Sequence, residues 1–298
     1  MRSSDFNIPL RNSKFEIRNS VLLVLLIACG KNTTPTTHDD LGRAVNLPPT
    51  LTRAVTLAPN LTEIMFAAGA GDKVVCTDDY SDFPPGVAKL PKVGGLEPNI
   101  EKIVACRPDV VLATTNGNHP NLAPALAAVH IPLYVVRTDR LDEVADTIAK
   151  LGDLFGAKHP YAGAHRLRVV LERQRRHRSP SPRVMFAVWT NPLYVAGQKT
   201  FADDLFRLTG ATNAVAVAGW PQYSLESLIS NPPDMLLYPR KAVGAAAVEQ
   251  LFRATPELRA KMQAVPVDDN LFTRPGSRVA ETAQQLNAIL DGWSMLHK

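Results

Sequence analysis

Five short stretches of the chain follow β-prone runs and hold residue types suited to gripping a ligand rather than transforming one. Residues 78–83 carry Tyr80, residues 114–119 carry Asn116 and His119, and residues 189–197 carry Trp189 and Tyr194. Residues 219–223 carry Trp220, and residues 269–274 carry Phe272 and Arg274. An aromatic ring offers a large apolar surface with few rotatable bonds, so several converging on one cleft would hold a broad, partly flat guest at low entropic cost. Tyr80, Trp189, Tyr194, Trp220 and Phe272 are therefore the candidate ligand-binding rings, with Asn116 and Arg274 to orient the guest. Trp189 also fits the preceding strand pattern, where it would plug a core. His119 reads as a solvated loop residue rather than an axial ligand.

Chemistry of the bond-breaking kind finds no support. The chain has no G-x-S-x-G, H-E-x-x-H or C-x-x-C, and Gly69-Ala70-Gly71 lacks the third glycine of a dinucleotide fingerprint and precedes a strand. The histidines are scattered, with His38, His177 and His297 far from the candidate loops. No catalytic residue, cofactor or metal centre is expected, which leaves a two-lobed α/β enzyme as the weaker alternative. The net charge of +5 sits largely near the N-terminus and in the run at 173–178. Such a run is usually a solvated helix face, and no basic stripe interleaved with aromatics points to nucleic acid.

The elements that must position these loops alternate. Ala54-Val55-Thr56-Leu57 predicts a strand, and Asn60 with Glu63 three residues on predicts a capping box opening a helix that stops at Gly69. Val74-Val75-Cys76, Val110 to Ala113 and Ile131 to Val136 predict further strands, with a helix capped by Asn99 among them. Helical spacing runs over 141–155 and again over 161–176, Ser179-Pro180-Ser181-Pro182 breaks the chain, and a new strand begins at Val184. Residues 99–112 align without gaps to 224–237, cap, glutamate, Pro-Asp and strand alike, and 66–70 resembles 206–211. The pattern predicts two Rossmann-like α/β lobes with parallel sheets, joined by a single long backbone helix, with the cleft between the lobes at the carboxyl ends of the strands.

At the N-terminus, Arg2, Arg11, Lys14 and Arg18 precede an apolar run too short to span a bilayer, followed by Leu26-Ile27-Ala28-Cys29-Gly30. This resembles a bacterial lipoprotein signal, in which Cys29 becomes the lipidated first residue. The polar, Thr- and Pro-rich stretch beyond it reads as a flexible tether. Cys76 and Cys106 sit in apolar contexts and read as two unpaired buried thiols.

The motifs T-L-A-P-N-L-T-E-I-M-F-A-A-G, T-D-D-Y-S-D-F-P, V-G-G-L-E-P-N-I-E-K-I-V-A-C-R-P-D-V-V-L-A, N-P-L-Y-V-A-G, G-W-P-Q-Y-S-L-E-S-L and L-F-T-R-P-G-S-R together resemble the substrate-binding proteins of ABC importers for cobalamin, ferric siderophores and haem. The resemblance covers residues 53–296 and is most specific toward the cobalamin binders. It implies a monomer on the periplasmic or cell-surface side of a bacterial membrane, held there by a lipid anchor. Its expected partners are a small-molecule metal chelate, a corrinoid or else haem or a ferric siderophore, and an ABC permease dimer. Tyr80, Tyr194, Trp220 and Arg274 match corrinoid-contacting positions, whereas Leu96, Thr114 and Leu271 stand where those binders carry tryptophans. Glu101 and Glu226 match the glutamates that dock on the permease. The expected organisation is a signal peptide at 1–28, a tether at 29–52, lobes at 53–140 and 182–298, and a linker at 141–181.

Overall fold

The computed structural model describes residues 36–115 and 121–296. Cys29 and the signal peptide, Asn116 and His119 lie outside the described residues.

The described residues begin with a hairpin, β1 (Thr36–His38) and β2 (Ala44–Asn46), paired antiparallel. Then follow β3 (Ala54–Thr56), α1 (Pro59–Ala67), β4 (Val74–Thr77), α2 (Ile100–Ala105), β5 (Val110–Thr114), α3 (Leu122–Ala128) and β6 (Leu133–Val136). Helices α4 (Leu141–Leu154) and α5 (Ala162–Arg173) connect this half to the next. The second half comprises β7 (Arg183–Thr190), β8 (Leu193–Val195), α6 (Phe201–Leu208), β9 (Thr212–Asn213), α7 (Leu225–Ser230), β10 (Met235–Pro239), α8 (Gly244–Ala254), β11 (Gln263–Val267), α9 (Asp269–Phe272) and α10 (Val279–Leu296).

The predicted repeat is real in three dimensions. The first sheet runs β4-β3-β5-β6, all parallel, and the second runs β9-β7-β10-β11, also parallel, with β8 added antiparallel on β7. Asp109 and Asp234, the aspartates of the two Pro-Asp pairs, do the same work. The Asp109 carboxylate accepts from Arg53 N at 2.9 Å and the Asp234 carboxylate from Arg183 N at 2.6 Å, so each pins the first strand of its lobe to the strand beside it. Asn99 and Ser224 cap α2 and α7, accepting from Lys102 N and Ser227 N at 2.9 and 3.1 Å. Ala70 and Ala211 close the turns after α1 and α6 with matching bonds to Met65 O and Phe206 O.

Both sheets are covered on both faces, as parallel sheets require. Successive residues alternate between cores: Val110 and Leu112 face one cluster and Val111 another, while Val184 and Phe186 oppose Met185 and Ala187. One cluster spans both halves through α1, α4, α5, α6 and α10. The two lobes therefore share a core instead of hanging from a flexible strand.

Four expectations change. The linker holds two helices, α4 and α5, broken at 155–161, where a single long helix was predicted. The tether does not extend to residue 52, because from Thr36 the chain is ordered on the first lobe. Val45, Leu47 and Leu51 alternate into the core, Tyr134 OH donates to His38 O at 3.1 Å, and Asp40 N donates to Val135 O at 2.9 Å. The Asp39 carboxylate ties the hairpin turn by accepting from Leu41 N, Arg43 N and the Arg43 guanidinium at 2.6–3.0 Å. Cys76 and Cys106 are buried but bonded to each other, joining β4 to the end of α2. Finally, Asn60 and Glu63 form no capping box: α1 begins one residue earlier, at Pro59, with no side-chain cap, and both residues reach instead toward the C-terminal half.

Candidate functional site

Because helices run antiparallel to the strands they connect, the carboxyl ends of both sheets gather the strand-to-helix loops and the N-termini of α2 and α7 at the same edge. Tyr80 stands in the loop after β4, 59% exposed. Its loop rests on a buried polar chain: Thr56 Oγ1 and Thr62 Oγ1 lie 2.6 Å apart, Thr62 Oγ1 and Ser81 Oγ 2.8 Å apart, and Ser81 Oγ donates to Asp78. Asp78 also accepts from Tyr80 N at 3.1 Å, and Lys92 Nζ donates to Ser81 O at 2.5 Å. Burial pushes the Asp78 carboxyl above its ordinary value, against the opposing pull of Ser81, Tyr80 N and Lys92. The ring lies against Gly95, where an added Cβ would stand 3.1 Å from it and press the ring from its seat.

On the second lobe, Trp189 and Tyr194 are not in an open loop as the sequence suggested. They are cross-strand partners in the β7–β8 hairpin, placed side by side by its register. Alternation explains it: Leu193 and Val195 face the core, which turns Tyr194 outward. Trp189 is 52% and Tyr194 37% exposed, and the Trp189 indole N–H donates to Asn191 O at 2.8 Å, closing the turn. Trp189 is therefore not a core plug. Trp220 is 40% exposed, its ring centroid 6.2 Å from that of Phe201. Its loop approaches the hairpin closely, with Gly197 N donating to Gly219 O at 2.8 Å. A Cβ on Gly197 would collide with Val217 O at 1.9 Å, so this approach also needs glycine.

Two predicted residues behave differently. Phe272 is only 3% exposed, packed in the core at 6.2 Å from Phe186, and is not a groove ring. It lies in α9, whose Leu271 and Phe272 both turn inward, a fact that loop-like Asp and Asn neighbours concealed. Arg274 is at the cleft but engaged: its guanidinium donates to Asp82 Oδ1 at 2.6 Å and Tyr80 O at 3.2 Å. It thus positions the Tyr80 loop from the opposite lobe.

More bonds that sequence reasoning missed run alongside. Arg278 donates twice to the buried Glu63 at 2.7 and 3.1 Å and lies over the Phe83 ring, 4.3 Å from its centroid. Asn60 Nδ2 donates to Thr138 Oγ1 at 3.0 Å and to Pro275 O at 3.3 Å. The bonds of Arg274, Arg278 and Pro275 cross between the lobes and span 192 to 215 residues of sequence, beyond any local motif. Burial pulls the Arg278 pKa down, and the two bonds to Glu63 more than restore it, so the guanidinium stays charged.

Between the lobes lies a cavity of about 370 Å3 bordered by Asp139 from the first lobe and by Phe186, Val188, Lys199, Phe201 and Trp220 from the second. Thr273 and Pro275, on either side of Arg274, complete its wall. Tyr80, Trp189 and Tyr194 do not line it, but Trp189 follows the wall residue Val188, and Arg274, between the wall residues Thr273 and Pro275, donates to Tyr80 O. Among the described residues no group of His, Cys, Asp and Glu could hold a metal ion. Glu101 and Glu226 are exposed in the first turns of α2 and α7, equivalent places on the two lobes.

The sequence profile of the periplasmic binding protein family matches residues 55–266. A vitamin B12-binding protein of Yersinia pestis (strain Pestoides F) is 30% identical over 231 residues, covering 76% of this chain and 81% of that protein. Among solved structures, the periplasmic vitamin B12 binding protein BtuF of Vibrio cholerae superposes with a TM-score of 0.66 at 27% identity, covering 81% of this chain and 97% of that one. The periplasmic heme-binding protein RhuT from Roseiflexus sp. RS-1 shares the fold at TM-score 0.67 and 24% identity, covering 80% and 97%. These relatives are binding proteins and not enzymes. With two parallel sheets sharing a core, a cleft at their carboxyl ends and a profile match over most of its length, the chain belongs to the periplasmic binding protein family.

Proposed function

We propose that this chain is the substrate-binding component of an ABC importer and that its cargo is a corrinoid, cobalamin. The observation that carries the reading is the exposure of Tyr80 and Trp220 on loops and of Trp189 and Tyr194 on the β7–β8 hairpin, at the edge where ligands bind in parallel α/β folds. Large exposed rings grouped this way serve contact with a guest, and a broad macrocycle matches their breadth. The names of the B12-binding relatives point the same way.

Delivery completes the proposal. Glu101 and Glu226, one per lobe, would meet basic residues of a permease dimer, steering encounter and setting register. A lipidated Cys29 would keep a monomer beside the membrane on its periplasmic or cell-surface side. One observation favours haem as a second reading: the exposed phenol of Tyr80 has the chemistry of an axial ligand for ferric haem.

Titrating the purified mature protein with cyanocobalamin, haemin or a ferric siderophore while following tryptophan emission tests the reading. Saturable quenching by cyanocobalamin at micromolar levels supports it. No quenching with cyanocobalamin, together with a Soret shift on adding haemin, overturns it.

A further inference from the structure

Lys199 is an ionic group on the cleft wall that the functional reading leaves unused. It borders the 370 Å3 cavity beside Trp220, Phe201 and Thr200, facing Asp139 on the other lobe. Arg274 and Asp82 neutralise each other at 2.6 Å, and the Asp139 carboxylate is oriented by the Thr115 hydroxyl, which donates to it at 3.2 Å. Lys199 has no ion-pair partner among the described residues. Its backbone sits at φ 59°, in the left-handed region that long side chains rarely occupy. The conformation is fixed by its N–H, which donates to Asp203 Oδ2 at 3.1 Å, and by Thr200, whose hydroxyl caps α6. Residues held in such conformations concentrate at ligand clamps.

We propose that Lys199 recognises an acidic oxygen of the cargo, so that the cleft selects a chelate carrying an acidic group over an analogue that lacks it. This rests on the corrinoid reading, in which the acidic group is the phosphodiester that links the nucleotide loop to the corrin. A lysine presents a compact charge with three donors, and the apolar wall of Phe186, Val188, Phe201 and Trp220 keeps its field from being screened once a guest displaces water. The aromatic plates supply contact for any flat macrocycle; Lys199 supplies the discrimination.

The test compares cyanocobalamin with dicyanocobinamide, which lacks the nucleotide loop and its phosphate, by calorimetry on the full-length mature protein. Lys199→Asn removes the charge while keeping a residue that tolerates positive φ, and Lys199→Arg retains the charge. Loss of one charge-assisted hydrogen bond predicts that Lys199→Asn weakens cyanocobalamin by roughly 10- to 100-fold, leaves dicyanocobinamide within about twofold, and is substantially rescued in Lys199→Arg. Unchanged cyanocobalamin affinity in Lys199→Asn, with the wild type binding tightly, overturns the assignment and spares the corrinoid reading. Equal weakening of both ligands also overturns it, because the lysine would then only shape the cleft. If the wild type takes haemin and not corrinoids, the corrinoid reading is lost. The assignment then stands only if Lys199→Asn weakens haemin and not its dimethyl ester, and falls otherwise. A wild type that binds none of these defeats both.

Discussion

Truncating Trp220 to alanine isolates what one ring contributes to the grip. A tryptophan carries up to about 250 Å2 of buriable surface, and Trp220 is 40% exposed, which leaves roughly 100 Å2 for a guest to cover. At about 25 cal/mol per Å2 this corresponds to ~2.5 kcal/mol, an upper bound of about 60-fold in Kd at 1.4 kcal/mol per decade. Alanine retains some contact, and ordering the guest costs part of the gain, so Trp220→Ala should weaken cyanocobalamin by roughly 10- to 60-fold. Calorimetry suits the assay, because removing the indole alters the emission signal. The melting temperature is measured alongside, because the part of the ring already covered, including its face toward Phe201 at 6.2 Å, contributes to the fold. A Kd within twofold of wild type, with the melting temperature unchanged, would refute the reasoning that these rings form the contact surface.

Other expectations follow from the same geometry. Glu101→Ala combined with Glu226→Ala should leave cobalamin affinity nearly intact and lower uptake in cells; reduced affinity with normal uptake would place both residues in the pocket. Arg278→Met leaves the Glu63 carboxylate buried without its partner and should cost about 3–5 kcal/mol in denaturant unfolding, whereas a loss under about 1 kcal/mol would show the pair to be dispensable. Burial pushes the Asp39 carboxyl up, but bonds from Arg43 and Leu41 outweigh it and hold its pKa below the ordinary value. Its folded pKa thus lies below the unfolded one, so its stabilisation is complete above about pH 4 and fades as pH falls through the folded value. The stability gap between wild type and Asp39→Asn should therefore be flat near neutrality and narrow in acid; a gap that widens in acid contradicts the assignment.

Much of this architecture was written locally. The caps Asn99 and Ser224 and the aspartates Asp109 and Asp234 act within a few residues or on the neighbouring strand, so their spacing exposed the repeat. The exposed rings were legible because glycine and proline mark the turns beside them, although Trp189 and Tyr194 lie on the strands of a hairpin. What stayed hidden depends on distant partners. Asn60 and Glu63 mimic a capping box, yet their partners lie up to 215 residues away, and tertiary pairing won over local capping. The hairpin at 36–46 reads as a tether because it continues a Thr- and Pro-rich run, while the alternation of Val45 and Leu47 is too short to register as a strand. Phe272 shares its polar neighbours with true loop residues, and only the packing of α9 on Phe186 turns it inward. The Cys76–Cys106 bond likewise depends on which strand lies beside which helix.

A crystal structure of the complex with cyanocobalamin tests the central claim most directly. The account predicts the corrin in the groove between the lobes, touching Tyr80 from one side and Trp220 with the Trp189–Tyr194 pair from the other. Density for the corrin anywhere else on the surface, with those four rings left bare, would contradict it.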